Sequence, residues 1–170
     1  KIKFYITKKM KFNLNQQDLQ KSLNYCQGVI EKRSTLPILS NVLLDASSSK
    51  LTITATDLDL IFINKILNVE ILEEGKTTTS SSIMYDIVRK FSSGKKINFS
   101  SVGENKIHLE SEKSDFNLNC ISASEFPLTE EDFNKNEFSI NSKSLLKLLN
   151  KCKFSVSNDE TRHYLSGIFF

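Results

Sequence analysis

The residues that most often carry catalysis are few and scattered in this sequence. His108 lies in an alternating apolar and polar segment and His163 lies near the C-terminal end, and no Ser, Cys or Asp motif accompanies either of them. Asp57 and Asp59 are two residues apart, which is more typical of a turn than of an acid–base pair. The glycines form neither GxGxxG nor GxxxxGK[ST]. We therefore expect no enzymatic activity and no cofactor.

The cysteines predict neither a metal site nor a disulfide framework. Cys26, Cys120 and Cys152 are odd in number and form no CxxC pair. Reduced thiols are typical of proteins in the cytoplasm, so we expect that location. The basic segment from Lys1 to Lys9 contains no apolar run long enough for a signal sequence or a membrane-spanning helix. We expect no membrane partner.

Basic residues concentrate in the segments that have helical periodicity. Residues 142–153 contain four lysines and no acidic residue, and Lys143, Lys147 and Lys151 recur one helical turn apart. Residues 82–96 also have an excess of cations. A basic helix face can lie against a phosphate backbone, but it can equally be an ordinary solvated face. Charge alone leaves both interpretations open.

The elements that carry these residues are partly repeated along the chain. The pattern that begins at Phe12 returns at Phe138, an offset of 126 residues (138 − 12), and Cys26 has its counterpart in Cys152 at the same offset. A register without gaps indicates a tandem structural unit. We infer one complete unit and the opening part of a second.

Hydrophobic periodicity and capping residues predict helices that alternate with groups of strands. The first helix is expected to begin after Asn15 as N-cap and to end near Val29, and the second to be capped by Ser81 or Ser82 and closed at Gly94. The other predicted elements are a helix over 142–151 and strands over 11–14, 38–46, 51–56, 60–72 (one bent strand or two), 97–99, 107–109, 116–120 and 163–170.

Several strings resemble the bacterial sliding clamp, the beta subunit of the replicative DNA polymerase III. They are Met10-Lys11-Phe12, the run from Arg33 to Leu44, Thr56-Asp57-Leu58, Glu125-Phe126-Pro127, and the run from Arg162 to Gly167. The resemblance implies a clamp domain over 10–130 and a linker with the start of a second clamp domain over 131–170. Residues 1–9 are then an N-terminal extension or a cloning remnant.

The resemblance also implies a fold and a function. The fold is α+β, a DNA-clamp fold in which each domain packs two helices on one side against antiparallel sheets. The implied protein is a non-catalytic processivity factor for DNA replication, a ring of two protomers that encircles double-stranded DNA. Its implied partners are the replicative polymerase, the clamp loader and a second protomer. The alternative is a truncated, clamp-derived module that binds DNA or a partner protein without encircling DNA.

The resemblance assigns DNA contact to particular positions. Arg33 and Tyr164 match DNA-contacting residues of the family, and His163 stands where a second tyrosine is frequent. Ser82 and Asp159 are weaker matches, since they stand where close relatives have Arg and Gln. Arg33 could instead cap the C-terminus of the first helix.

Two further expectations concern protein partners. Leu165 matches one wall of the pocket that accepts clamp-binding peptides, although it could also be a core residue. The strand from Glu112 to Leu118 matches the ring-closing edge, where Asp115 replaces the usual basic residue. We do not expect the 170-residue chain by itself to close a ring.

Overall fold

The chain contains two compact units, Lys1–Thr129 and Glu130–Phe170. The structure, a computed structural model, describes residues 9–30, 35–103, 105–127, 139–159 and 161–169, without the side chain of His163.

The described residues of the first unit form two α-helices and nine strands, and the strands make one antiparallel sheet. The strand order is β4-β3-β2-β6-β9-β8-β7-β1-β5. In chain order the elements are β1 Lys11–Asn15, α1 Gln16–Cys26, β2 Asn41–Ser47, β3 Lys50–Thr56, β4 Ile61–Ile66, β5 Val69–Glu73, β6 Gly75–Ser80, α2 Ser81–Val88, β7 Lys96–Val102, β8 Lys106–Ser111 and β9 Ser114–Ile121.

The first helix begins where its cap was predicted. The side-chain oxygen of Asn15 accepts a hydrogen bond from the backbone nitrogen of Gln17 at 2.8 Å, which satisfies one of the free N–H groups at the helix start. The helix ends at Cys26 rather than at Val29, and turns continue the chain to Ile30. Its predicted apolar face is buried, with Leu19, Leu23 and Cys26 inaccessible to solvent.

Two predictions about the first hairpin are wrong in detail. Residues 37–40 form a 3-10 turn instead of the start of a strand, because Pro37 favours the first position of a helical turn. The strand β2 therefore begins at Asn41. The alternation of apolar residues and threonines over 51–56 predicts that the threonines face solvent, but Thr54 and Thr56 are buried in β3. The loop after β3 folds back onto it, and the backbone nitrogen of Leu58 donates to Thr56 Oγ1 at 3.0 Å.

The strand β6 has no counterpart in the sequence prediction, in which no strand lies between residue 72 and the second helix. Its central residues Thr78 and Thr79 are inaccessible to solvent. The hydroxyl of Thr78 donates to the carbonyl of Ile121 at 2.8 Å, and the hydroxyl of Thr79 donates to the carbonyl of Asn119 at 3.0 Å. These bonds let a polar sequence occupy the interior of the sheet between β2 and β9.

The second helix differs from its prediction at both ends. Its N-cap is Ser80, whose hydroxyl accepts from the backbone nitrogen of Ile83 at 3.5 Å. It ends at Val88, and Gly94 lies beyond it in a turn with φ of +77°. Gly94 is therefore a turn glycine and not the helix cap. Met84 and Val88 are buried as predicted, whereas Ile83 is 54% exposed.

The core of this unit is formed by apolar side chains of the helices and of the sheet. The rings of Phe12 on β1 and Phe99 on β7 stack with centroids 4.7 Å apart. Both are buried, and the same core cluster includes Leu44 on β2, Ile53 on β3 and Leu109 on β8. Apolar burial of this kind is the main stabilising contribution to the fold.

The second unit repeats the first helix at the predicted register. The helix α3 spans Ser142–Cys152, which is α1 displaced by 126 residues (142 − 16), and Asn141 caps it as Asn15 caps α1. The predicted strand over 163–170 is not formed within the described residues, where a 3-10 turn occupies His163–Leu165. A strand requires a partner for its backbone groups, and the described part of this unit contains no other strand to supply one.

Candidate nucleic-acid interface

The two helices of the first unit form an antiparallel layer held together by polar contacts at both ends. At one end the buried Gln16 donates through Nε2 to the carbonyl of Val88 at 2.9 Å. At the other end Gln27 donates through Nε2 to Ser81 Oγ at 2.9 Å. Because the start of α1 meets the end of α2, the two helices run in opposite directions. Their exposed side chains include the apolar Ile83 and the aromatic Tyr25.

Ser82, a predicted DNA-contact position, lies in the first turn of α2 and faces α1. Its hydroxyl donates to Gln27 Oε1 at 3.3 Å, and the side chain is half-buried. The serine thus contributes to the contact between the helices. A short neutral side chain in this orientation adds no positive charge to the helix layer.

The structure identifies a polar group on this layer that sequence reasoning missed. The hydroxyl of Tyr85 donates to Asn24 Oδ1 at 3.2 Å across the two helices. The Arg89 guanidinium lies 5.8 Å from the centre of the Tyr85 ring. Tyr85 and Arg89 are four residues apart on one helix, and this spacing is a signal that could have indicated the pair.

Most cations near α2 are paired with carboxylates. Arg89 binds Asp86 at 3.0 Å within the helix. Lys95, just before β7, lies 3.1 Å from the carboxylate of Glu112 in the turn between β8 and β9, and Lys96 lies 3.8 Å from that of Glu70 on β5. Exposed pairs of this type contribute little to stability, but they reduce the local positive charge. The excess of cations counted in the sequence therefore does not produce a strongly basic helix layer.

Among these carboxylates, that of Glu112 is held by hydrogen bonds from two side chains. The pKa of its carboxyl is lowered because Lys95 and Ser92 donate hydrogen bonds to it and the charge of Lys95 stabilises the anion. The bond from Ser92 Oγ is 2.9 Å long. Glu112 therefore remains ionised at neutral pH and offsets the charge of Lys95.

In the second unit, the carboxylate of Asp159 accepts hydrogen bonds within the turn that it begins. Its Oδ1 accepts hydrogen bonds from the backbone nitrogen of Thr161 at 3.0 Å and from the Thr161 hydroxyl at 2.6 Å. These bonds lower the pKa of the Asp159 carboxyl. Its Oδ2 lies 3.4 Å from Arg162 Nε. The residue has a structural role in this turn.

The turn that follows Asp159 presents two more of the predicted site residues. The backbone nitrogen of Ser157 donates to the carbonyl of Leu165 at 2.9 Å and closes the turn. Tyr164 is 82% exposed and Leu165 is 43% exposed. The backbone of His163 belongs to the same 3-10 turn, while its side chain and the whole of Arg33 lie outside the described residues.

The helix α3 carries the predicted basic stripe on its surface. The side chains of Lys143, Lys147 and Lys151 are exposed, and none forms a salt bridge within the described part of the chain. Leu146 and Leu148 on the same helix are also exposed. The described residues contain no group of three or more potential metal ligands, and no described helix is long and apolar enough to cross a membrane.

Two helices on one side of an antiparallel sheet define an α+β clamp fold. The family described as "DNA polymerase III beta subunit, N-terminal domain" matches residues 10–130. The beta sliding clamp of Caulobacter vibrioides (strain NA1000 / CB15N) is 34% identical over 161 residues, which are 94% of this chain and 43% of that protein. The beta sliding clamp of Escherichia coli (strain K12) is 31% identical over 161 residues, which are 95% of this chain and 44% of that protein.

Solved structures give the same result. A crystal structure of the C. crescentus beta sliding clamp superimposes with a TM-score of 0.89 at 34% identity, over 94% of this chain and 43% of that one. The chain belongs to the DNA polymerase III beta subunit family, the beta sliding clamps. It spans less than half the length of the curated relatives it matches.

Proposed function

We propose that this chain is the N-terminal part of a sliding clamp, a non-catalytic processivity factor that encircles duplex DNA and tethers the replicative polymerase. The observation that carries the proposal is the likeness to beta sliding clamps along 94% of the chain, with a TM-score of 0.89. The antiparallel pair α1 and α2 supports it, because the resemblance to sliding clamps implies two such helices in each domain.

In the proposed ring, the helix layers face the phosphates across solvent. Such contact requires cations and hydrogen-bond donors but no base-specific groups, so binding is independent of sequence and sensitive to salt. Arg33, His163 and Tyr164 are the proposed contacts, and the high exposure of Tyr164 supports its availability. Ser82 and Asp159 are poorer candidates, since Ser82 binds Gln27 and Asp159 is negatively charged.

The partner proteins are proposed from the family. Leu165 is the proposed wall of a pocket for peptides of the replicative polymerase and the clamp loader, and its partial exposure supports contact with an apolar ligand side chain. A second protomer would complete the ring through the edge of β9.

The second candidate function is a module that binds DNA or a partner protein without encircling DNA. The observation in its favour is the exposed stripe of Lys143, Lys147 and Lys151, which has no described salt bridge. Contact through such a stripe would depend on charge and not on the topology of the DNA.

A chimera separates the two candidates. Residues 10–170 of this chain are joined to the remaining C-terminal part of the Caulobacter clamp, and the Caulobacter clamp loader places the product on nicked circular DNA. Gel filtration then measures retention before and after the DNA is linearised. Encirclement predicts retention on the circle and release after linearisation. Retention that is equal on circular and linear DNA would contradict the proposal and favour the second candidate.

A second chimera with Asp115→Arg carries the basic residue that is usual in the family at the ring-closing edge. It prevents a mismatch at that edge from being mistaken for failure of the whole function. The unmodified 170-residue chain serves as the control for DNA binding without a ring.

A further inference from the structure

A cavity of about 340 Å³ lies along one flank of α1, beside the bend that joins β4 to β5. Residues 64–68 form one wall, and α1 forms the other with side chains that include Lys21 and Tyr25. At 3.6 residues per turn, Gln16 and Gln27, which bind α2, lie on the opposite flank of the helix. The cavity is therefore separate from the contact between the two helices.

Tyr25 supplies an aromatic wall to the cavity. The residue is 51% exposed, and its ring centroid lies 6.0 Å from that of Phe62, with an angle of 53° between the ring planes. Phe62 is partly buried and packs against the core, so it supports the Tyr25 ring from one side. The remaining ring surface is open to solvent. An exposed aromatic ring of this kind is a platform on which an unpaired nucleic-acid base can stack.

Two lysines line the same cavity from its two walls. Lys21 is on α1 and Lys65 is on β4, and both are exposed. Neither forms a salt bridge with another described residue. Asp18 is the only carboxylate among the described residues of the lining. The lining thus has two cations and one anion, and its excess positive charge attracts a group such as phosphate.

Asparagine side chains complete the lining. Asn64 Nδ2 donates to Ser22 Oγ at 2.5 Å, and Ser22 Oγ donates in turn to the carbonyl of Asp18 at 2.9 Å. These bonds fix the Asn64 amide against α1, and its Oδ1 accepts no hydrogen bond from the described residues. Asn68 lies in the same wall. An amide offers both donors and an acceptor, which are the groups that the edge of a base can pair with.

We propose that this cavity binds one nucleotide unit, with the base on the Tyr25 ring and the phosphate between Lys21 and Lys65. Its volume is near the lower end of the range for small-molecule sites, about 300–1,000 Å³, which suits one unit rather than several. The same chemistry is present in a free nucleotide and in an unpaired strand. A duplex keeps its bases stacked and cannot offer one to Tyr25. The site goes beyond the proposed function, because it requires neither duplex DNA nor a closed ring.

Titration of the full 170-residue chain tests the proposal. The probes are an oligothymidylate of about ten nucleotides, thymidine 5′-phosphate, and a blunt DNA hairpin with a stem of about ten base pairs. Amide resonances of the ¹⁵N-labelled chain locate binding, and fluorescence anisotropy of the labelled oligonucleotides measures affinity at several salt concentrations. The variants Tyr25→Ala, Tyr25→Phe and Lys65→Gln are compared with Lys113→Gln, which removes an exposed lysine from the turn between β8 and β9.

The oligothymidylate should shift the amides of residues 21–25 and 64–68. Tyr25→Ala should weaken its binding roughly ten-fold through the loss of one stacked base, and Tyr25→Phe should preserve it. Lys65→Gln should lower the log–log salt slope by about 0.7, whereas Lys113→Gln should leave the slope unchanged. The affinity for the hairpin should be the same with and without Tyr25→Ala.

Thymidine 5′-phosphate separates the two sources of the ligand. Shifts of the same amides by the mononucleotide would show that a free nucleotide suffices, and shifts by the oligothymidylate alone would assign the site to an unpaired strand. The proposal is overturned if neither probe shifts these amides, or if Tyr25→Ala leaves binding of the oligothymidylate unchanged. It is also overturned if Tyr25→Ala weakens binding of the hairpin equally.

Lys65→Gln keeps the test decisive where Tyr25→Ala disturbs folding, because Lys65 is an exposed residue of β4. An unchanged salt slope for Lys65→Gln would then overturn the proposal. The retention of the chimera on circular DNA is measured separately, so either idea can fail without the other.

Discussion

The bond between Gln16 and Val88 gives the sharpest test of how the helix layer is held together. Gln16 is 2% exposed, and its Nε2 donates to the carbonyl of Val88 at 2.9 Å and to Gln20 Oε1 at 2.8 Å. Val88 is the last residue of α2, and beyond the helix its carbonyl also accepts a hydrogen bond from the backbone nitrogen of Phe91 at 3.3 Å. The side chain of α1 therefore completes the hydrogen bonding at the end of α2.

The substitution Gln16→Glu keeps the size of the side chain and replaces the donor by a carboxylate that would face two acceptor oxygens. The favourable alternative is a protonated Glu, whose O–H can donate to Val88. The reference pKa of a Glu carboxyl is about 4.3. Keeping it protonated costs about 1.4 kcal/mol for each pH unit above that pKa, which is about 3.7 kcal/mol at pH 7. The loss of the second hydrogen bond adds about 1 kcal/mol.

The sign of the pH dependence follows from the raised pKa of the introduced carboxyl in the folded state. The loss of stability should be about 1 kcal/mol near pH 4 and should grow as the pH rises above the pKa that the Glu carboxyl has in the unfolded state. Urea denaturation followed by circular dichroism, with the natural protein measured at each pH, provides the free energies of unfolding. Gln17→Glu is the matched control, since Gln17 is exposed and near the helix start, where an anion is tolerated. A pH-independent loss, or equal losses for both variants, would refute the reasoning.

Three other outcomes can be measured directly. Burial raises the pKa of the Cys26 thiol to about 12 and also raises the pKa of the Cys120 thiol. At pH 8 a thiol reagent should therefore modify only the exposed Cys152 of the folded protein, and it should modify all three cysteines after unfolding in urea. Asn15→Ala should lower the free energy of unfolding by about 1 kcal/mol through loss of the N-cap, as measured by urea titration. Ser82→Arg should strengthen binding of the chain to duplex DNA and steepen its log–log salt dependence by up to about 0.9, and an unchanged slope would exclude a new phosphate contact.

The helices and the repeat were predictable because their signals are local. Asn15 and Asn141 occupy the same place in two copies of one pattern, and both cap the helices that follow them. The strand β6 could not be predicted, because its threonines are buried by partners that come from distant parts of the chain. Thr78 bonds to Ile121, which is 43 residues away. A polar segment can become the interior of a sheet when the sheet supplies acceptors for its hydroxyls.

The family pattern gives positions for the candidate site, but it does not give the environment of their side chains. Sequence alone marked Ser82 and Asp159 as matches to a family pattern, whereas their hydrogen bonds to Gln27 and Thr161 depend on local geometry. Tyr164 lies in the turn that follows Asp159, and it is exposed, as DNA contact would require. A pattern match therefore identifies a position, and its neighbours determine whether the side chain is available.

The electrostatics of the helix layer bear on how the proposed clamp would hold DNA. Arg89 and Lys95 are offset by Asp86 and Glu112, so the described part of the layer attracts phosphates weakly. Weak attraction suits a protein that must move along its ligand, because each strong phosphate contact would have to be broken at every step. In the proposed ring, retention would then come from closure of the ring around the DNA rather than from attraction to the phosphates.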